Sequence, residues 1–295
     1  MRGRRSATDA FATGCPWRGT GSDEVGDDDS TGRALWALGT AAARATRADQ
    51  REQARTLLLA GAGFRSDWPR ANAFAILGAV DLLEASSPRP EPDVAALLAA
   101  AACGLGSRSP DAAWPWPEPR LAYANAVLAE ARVAAGSTLG HPALLEEGLD
   151  LLAWLVAVET VGDHFSFTPV GGRGPGERGP ALDQQPIEAA AMADACARAF
   201  AITGESRWAA STLLVAEWFL GANDLGLALF DRATGGGKDG LHGDRVNENM
   251  GAESTLAAIT ALQQTRRIQQ AARRAATTSA VTTVAPGLTR GGRRG

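Results

Sequence analysis

The chain has 295 residues, 45% of them hydrophobic and 21% charged, with a formal charge of −4. That composition excludes wholesale disorder, a collagen-like repeat and a disulfide scaffold, and the length is enough for one sizeable core or two small ones. Charged residues interrupt every apolar stretch, so no membrane span is expected, and no apolar run follows the basic start to make a secretory signal.

In chain order, apolar residues recurring at i, i+3, i+4 and i+7 predict nine helices, at about 31–46, 48–61, 69–86, 92–105, 119–135, 142–158, 186–203, 206–220 and 251–275. In the third, Phe74, Leu77, Ala79, Leu82 and Leu83 fall on one side. Pro69, Pro119, Pro142 and Pro186 suit first helical positions, where a missing N–H costs nothing. Ser30 or Thr31 can cap the first helix, and Gly136 and Gly204 suit left-handed helix ends. Only HFSFTPV (164–170) and LALF (227–230) suggest short strands. The fold class expected is therefore all-α. Residues 1–27 and the basic tail 276–295 are read as disordered, flanking a helical domain over 28–275.

From Arg266 onward there are seven arginines and no acid, which leaves the preceding body acidic. An acidic body does not suit nucleic acid as a partner, and the tail reads as solvated helix and coil sooner than as a nucleic-acid contact. Cys15, Cys103 and Cys196 form no CxxC pair, and the last two sit in apolar helical patterns as small buried hydrophobes. His141, His164 and His242 lack ligand spacing, so neither metal nor cofactor is expected, and the simplest location is cytoplasmic.

The connections are of two kinds. The helices near 48, 92, 142 and 206 follow plain linkers. Those near 31, 69, 119, 186 and 251 follow segments rich in aromatics, acids, amides and glycine. In a run of antiparallel αα-hairpins, alternate helices point the same way, so the rich entry segments collect at one end. This predicts an (α/α) toroid of five to six hairpins with a polar, aromatic funnel, or else a less regular helical solenoid.

Three entry segments carry the candidate chemistry. In LDQQPIE, Asp183, Gln184, Gln185 and Glu188 surround a helix start, either as a platform for hydroxyl groups or as caps. In DGLHGDRVNENMGAEST, Asp239, His242, Asn247, Asn249 and Glu253 crowd a glycine-broken loop, which is otherwise an Asx-rich turn with its own caps. Paired carboxylates are what glycoside hydrolysis needs, and Glu188 with Glu253 is the expected acid/base pair, with Asp183 and Asp239 in reserve. In DAAWPWPEPRLAYANA, Trp114, Trp116 and Tyr123 offer faces for sugar rings, with Glu118 and Asn125 as hydroxyl partners, unless the rings simply pack the loop down. TGGGKD lacks the first glycine and the Ser/Thr of a P-loop, and GGRGPG opens no helix, so neither a phosphate nor a dinucleotide site is expected.

The strings DSTGRALWALG, WPWPEPRLAYANA, HFSFTPVGGRG, DQQPIEAAAMADA, WFLGANDLGLALFD and DGLHGDRVNENMGAEST occur in that order across about 28–268. Together they resemble the C-terminal helical region of bacterial glycosyltransferases, which looks like the six-hairpin glycosidase superfamily. Pro117, Ala124, Met250 and the segment 174–181 depart from the family's usual residues. The resemblance implies a glycan ligand and a glycosyltransferase as partner, with the helical domain binding or processing the glycan. It implies no transferase activity here. A helical protein-interaction domain is the alternative outside carbohydrate chemistry.

Overall fold

The structure, a computed structural model, describes residues 27–86, 88–89 and 91–283. Over those residues the chain is mostly helical. The helices are α1 (Asp28–Arg44), α2 (Ala48–Ala60), α3 (Pro69–Ser86), α4 (Pro92–Cys103), α5 (Ala126–Thr138), α6 (Pro142–Val158), α7 (Pro186–Thr203), α8 (Ser206–Leu220) and α9 (Ala252–Thr283). Two short antiparallel hairpins interrupt them. One pairs β1 (Thr160–Val161) with β2 (His164–Phe165), and the other pairs β3 (Gly240–His242) with β4 (Arg245–Asn247).

The odd-numbered helices pack on one another in sequence, α1 on α3, α3 on α5, α5 on α7 and α7 on α9. Each of α2, α4, α6 and α8 packs against the odd-numbered helix before it. The chain is thus a run of hairpins in two layers, and the odd-numbered helices run in the same sense. Position in the layers explains burial. α4 buries one stripe, Val94, Leu97, Leu98 and Ala101, at amphipathic spacing. α3 lies between α1 and α5 with α4 behind it, and Arg70 through Leu82 are all buried, where the sequence predicts a one-sided stripe.

Small residues make this possible. A Cβ on Gly39 would lie 2.0 Å from the Gly78 carbonyl oxygen, and one on Gly32 would lie 2.4 Å from that of Ala71, so α1 and α3 touch backbone to backbone. Gly136 and Gly148 do the same for α5 and α6, against Leu145 N and Val133 N. Gly136, expected as a left-handed helix end, is a buried interior residue of α5 instead. Gly204 does end α7 in the left-handed conformation, at φ 71°.

Side chains from every odd-numbered helix meet in a buried polar cluster. Asp81 of α3 accepts from Thr40 (2.7 Å) and Arg44 (3.0 Å) of α1. Arg198 of α7 donates to Glu130 of α5 (2.8 Å), and Gln264 of α9 donates to Asp194 of α7 (2.5 Å). Burial pushes the Glu130 carboxyl up to about 7 against the pull of Arg198, with Asp194 and Asp81 adding to the rise.

Several predicted boundaries move. α1 starts at Asp28 because the Asp27 carboxylate accepts from Ser30 N (2.6 Å), so Asp27, not Ser30 or Thr31, is the cap. α5 starts at Ala126, seven residues beyond Pro119, because residues 120–125 are held in tertiary hydrogen bonds described below. LALF forms no strand, and Phe230 alone bridges to Gly237. The β3–β4 hairpin lies in a segment the sequence suggests is a loop. Residues 276–283, expected in a disordered tail, continue α9. Cys196 is buried but Cys103 is exposed. Asp27, expected in the disordered N-terminal segment, is thus part of the helix start, while residues 1–26, Cys15 among them, and 284–295 lie outside the described residues. No helix among the described residues is long and apolar enough to cross a membrane.

Candidate functional site

At the end of the fold where α5 and α7 begin, three separate stretches of chain are laced together. Leu121 and Arg173 exchange backbone hydrogen bonds (2.8 and 3.0 Å), Val170 N donates to Asp183 O (2.9 Å), and Gln184 and Leu241 exchange two more (3.0 and 2.9 Å). Residues 120–123, 168–172 and the start of α7 line a half-open cavity of about 290 Å³. Arg120, Tyr123, Thr168, Gln185 and Glu188 supply its polar groups, and Leu121, Pro169, Val170 and Ile187 its apolar ones.

Glu188 fixes the wall of this cavity. Its Oε1 accepts from Ala124 N (2.5 Å), and its Oε2 accepts from Asn125 N (3.1 Å) and Asn125 Nδ2 (3.0 Å). Ala124 sits at φ 46°, a left-handed conformation that costs a non-glycine residue of order 1 kcal/mol or more and needs outside support. The carboxylate supplies that support. Arg70, at the start of α3, ties the same loop down from the other side. It donates to Tyr123 O (2.7 Å), to Asn125 Oδ1 (3.2 Å) and to Glu118. Its guanidinium lies 4.9 Å from the Tyr123 ring centroid. The Tyr123 hydroxyl donates to Asp29 at the start of α1 (2.7 Å), so its ring, 41% exposed, is held at a fixed angle. Four of the expected site residues, Glu118, Tyr123, Asn125 and Glu188, are therefore joined through one network with Arg70.

The two tryptophans expected to stack on sugar rings are used differently. Trp114 and Trp116 are buried against Trp154, at ring separations of 5.1 and 5.9 Å, and donate to the Glu118 carbonyl (2.9 Å) and carboxylate (3.3 Å). Proline-rich sequence around them packs the loop onto α6, so Tyr123 is the member of this set that presents a face.

Gln184 and Gln185 alternate across their extended stretch. Gln185 lines the cavity, whereas Gln184 is fully buried: its Oε1 accepts from Phe167 N (3.2 Å) and Trp218 Nε1 (3.3 Å), and its Nε2 donates to Asp224 (2.5 Å). Asp224 also meets His164 Nε2 at 3.0 Å. Asp183 and His242 are part-exposed side chains, with Nε2 3.1 Å from a buried Oδ1 but without hydrogen-bond alignment. Asp239 and Asn249 brace the loop before α9. Asp239 accepts from Asn249 and from Gly251 N (2.9 Å), while Asn247 accepts from Asn249 N (3.1 Å). The Ser254 hydroxyl, Asn249 and Gly251 together hold the Asp239 carboxyl below its ordinary range.

The expected acid/base pair is placed apart in character. Glu188 lines the cavity, while Glu253 is exposed in the first turn of α9 and is not among the lining residues. The electrostatic neighbour of Glu188 is instead Glu159, just after α6, a buried residue that accepts from Thr168 N (2.9 Å) and Thr168 Oγ1 (2.6 Å). Neither Glu159 nor Arg70 is distinguishable in the sequence from an ordinary charged residue at a helix end. Among the described residues no cluster of His, Cys, Asp and Glu is placed to hold a metal ion.

Burial, reinforced by Glu159, pushes Glu188 up to about 8, against the pull of the Asn125 and Ala124 amides and of Arg70. With Glu130 at about 7, and with burial raising Glu159 and Asp194 as well, Glu188 and Glu130 hold protons more tightly folded than unfolded. Their contribution to stability is complete below the unfolded value near 4.5 and is lost as pH rises through about 7 and 8. His164 adds in the same direction: it is raised by Asp224 and Asp163 despite its burial. The thermal midpoint should therefore fall from about pH 5 to about pH 8.5, and the fall should be shallower in Glu130→Gln. A midpoint rising over that interval would contradict the assignment.

No protein-family model matches the chain, and no curated protein matches it.

Proposed function

We propose that the chain is an (α/α) toroid domain that binds a neutral glycan at the entry end of its odd-numbered helices. The observation that carries this reading is the cavity of about 290 Å³ that the part-exposed Tyr123 lines together with Gln185, Arg120 and Glu188. Its volume is at the small end of ligand sites, and a part-exposed aromatic beside the Gln185 amide and the Arg120 guanidinium, itself paired with Glu177, suits the C–H faces and hydroxyl edges of a sugar ring. The buried cluster to which all the odd-numbered helices contribute supports their curling about a common axis.

Binding is favoured over hydrolysis by one detail. Both oxygens of Glu188 are committed to three N–H donors, so the carboxylate acts first as a clamp. The hydrolase reading stands second: Glu188 lines the cavity, and burial beside Glu159 raises its carboxyl in the direction a general acid needs. In the binding reading the domain positions a glycan for a partner glycosyltransferase.

The test is an array of neutral oligosaccharides probed with the full chain. Binding to at least one class is expected, and it should weaken at least tenfold in Tyr123→Ala and in Gln185→Ala with the thermal midpoint kept. Release of reducing sugar that disappears in Glu188→Gln would select the hydrolase. Absence of binding to every neutral glycan by the folded chain would overturn the reading.

A further inference from the structure

We infer that the ligand of this site is an extended oligosaccharide and that Trp68 is its second stacking subsite; this rests on the glycan reading above. Trp68 is 69% exposed, more than any other large hydrophobic side chain among the described residues, yet its backbone is firmly held. Trp68 N donates to Ser66 Oγ (3.0 Å), and Trp68 O accepts from Asn72 N (3.2 Å) and Asn72 Nδ2 (3.2 Å). Asn72 Nδ2 also bonds Ser66 O (2.8 Å) and Gly104 O (3.2 Å). The held loop presents its one tryptophan to solvent. Single exposed apolar residues are ordinary, so exposure alone decides nothing.

The second observation is where Trp68 stands. Its loop and Tyr123 are anchored to adjacent carboxylates at the start of α1. The Ser66 hydroxyl donates to Asp28 (2.6 Å), and the Tyr123 hydroxyl donates to Asp29 (2.7 Å). Arg70, two residues beyond Trp68, lies against the Tyr123 ring, and Arg33 reaches the same ring at 5.8 Å while paired with Asp29 (2.8 Å). A strip therefore leads from one fixed aromatic at the cavity, past the part-exposed Asp28, Asp29 and Arg33 and over the buried Arg70, to another. Along it Arg33 and Arg70 answer Asp28 and Asp29, and Asp67 and Glu118 add acid, which suits an uncharged ligand better than a phosphate backbone. The cavity is small for a whole ligand site, so a longer glycan would continue along this strip. Apolar faces separated by hydroxyl partners match the repeat of a neutral oligosaccharide.

The experiment compares neutral disaccharides and hexasaccharides of gluco, manno and galacto type by calorimetry, on the wild-type chain and on Trp68→Ala. A hexasaccharide should bind the wild type at least tenfold more tightly than its disaccharide, and Trp68→Ala should erase that gap while leaving disaccharide affinity and the thermal midpoint unchanged. Trp68→Phe should keep most of the gap. Equal affinity for both lengths, or unchanged hexasaccharide affinity in Trp68→Ala, overturns the extended-ligand inference and leaves the cavity reading standing. Failure of the wild type to bind any sugar overturns the cavity reading itself. If Trp68→Ala instead abolishes retention of a protein partner with sugar affinity intact, the surface is a protein contact and the inference fails.

Discussion

Gly78→Val is expected to destabilise the chain by about 3 kcal/mol or more, a drop in thermal midpoint of about 6–12 °C for a domain of this size. Even a single Cβ at this position would lie 2.2 Å from the Leu35 carbonyl oxygen and 2.8 Å from the Trp36 Cα. Those are backbone atoms of α1, so no rotamer change can relieve the contact, and the two helices must separate. Gly63→Ala is the control, because a Cβ there meets nothing within 4 Å. It should change stability by no more than about 0.5 kcal/mol. Urea denaturation of the two variants separates the outcomes, and a Gly78→Val chain as stable as the control would mean that α1 and α3 do not approach so closely.

Arg70→Leu is expected to cost about 3 kcal/mol and to abolish glycan binding together. The Arg70 side chain is 9% exposed and serves three acceptors: the Tyr123 carbonyl, the Asn125 amide oxygen and the Glu118 carboxylate. Removing it leaves these groups without their donor in a largely dry place, and the penalty is chiefly that of the stranded partners. Because Glu118 retains 21% exposure, water can reclaim part of that loss, which keeps the expected figure at the lower end for a broken buried pair. The functional consequence follows from the same bonds, since Tyr123 loses its backbone anchor and the guanidinium beneath its ring. Arg70→Lys can replace one donor and should fall between wild type and Arg70→Leu in both stability and affinity. Intact binding in a destabilised Arg70→Leu would separate Tyr123 from the site.

The helices were legible because their signal is local. Apolar spacing and a proline at the start place α3, α6 and α7 at their observed bounds, and the recurrence of that spacing along the chain anticipates its mostly helical character. What the sequence concealed is tertiary in origin. Pro119 looks like a helix start, but the Ala124 and Asn125 amides are claimed by Glu188 from another helix, and that competition delays α5 to Ala126. Gly136 looks like a helix end because its other use, allowing α6 to approach, depends on a neighbour that the local pattern does not include.

The site was legible as a neighbourhood more than as a set of roles. Tyr123, Gln185 and Glu188 do meet at one cavity. Trp114 and Trp116 have the same residue types as a sugar platform, and only the packing of Trp154 shows that their faces are taken. Glu253 and Glu188 are both first-turn glutamates after polar loops, yet one is exposed and the other is 5% exposed with three donors. Glu159 and Arg70 carry no local signal, because a buried charge is recognisable only by the partners that surround it.

Hydrogen–deuterium exchange of the full chain with and without a saturating neutral hexasaccharide tests the central claim most directly. The account predicts slowed exchange in residues 120–125, 168–172 and 185–188 and near Trp68, with α2, α4, α6 and α8 unchanged. Protection confined to those even-numbered helices, or none in the cavity segments while the sugar is bound, would contradict it.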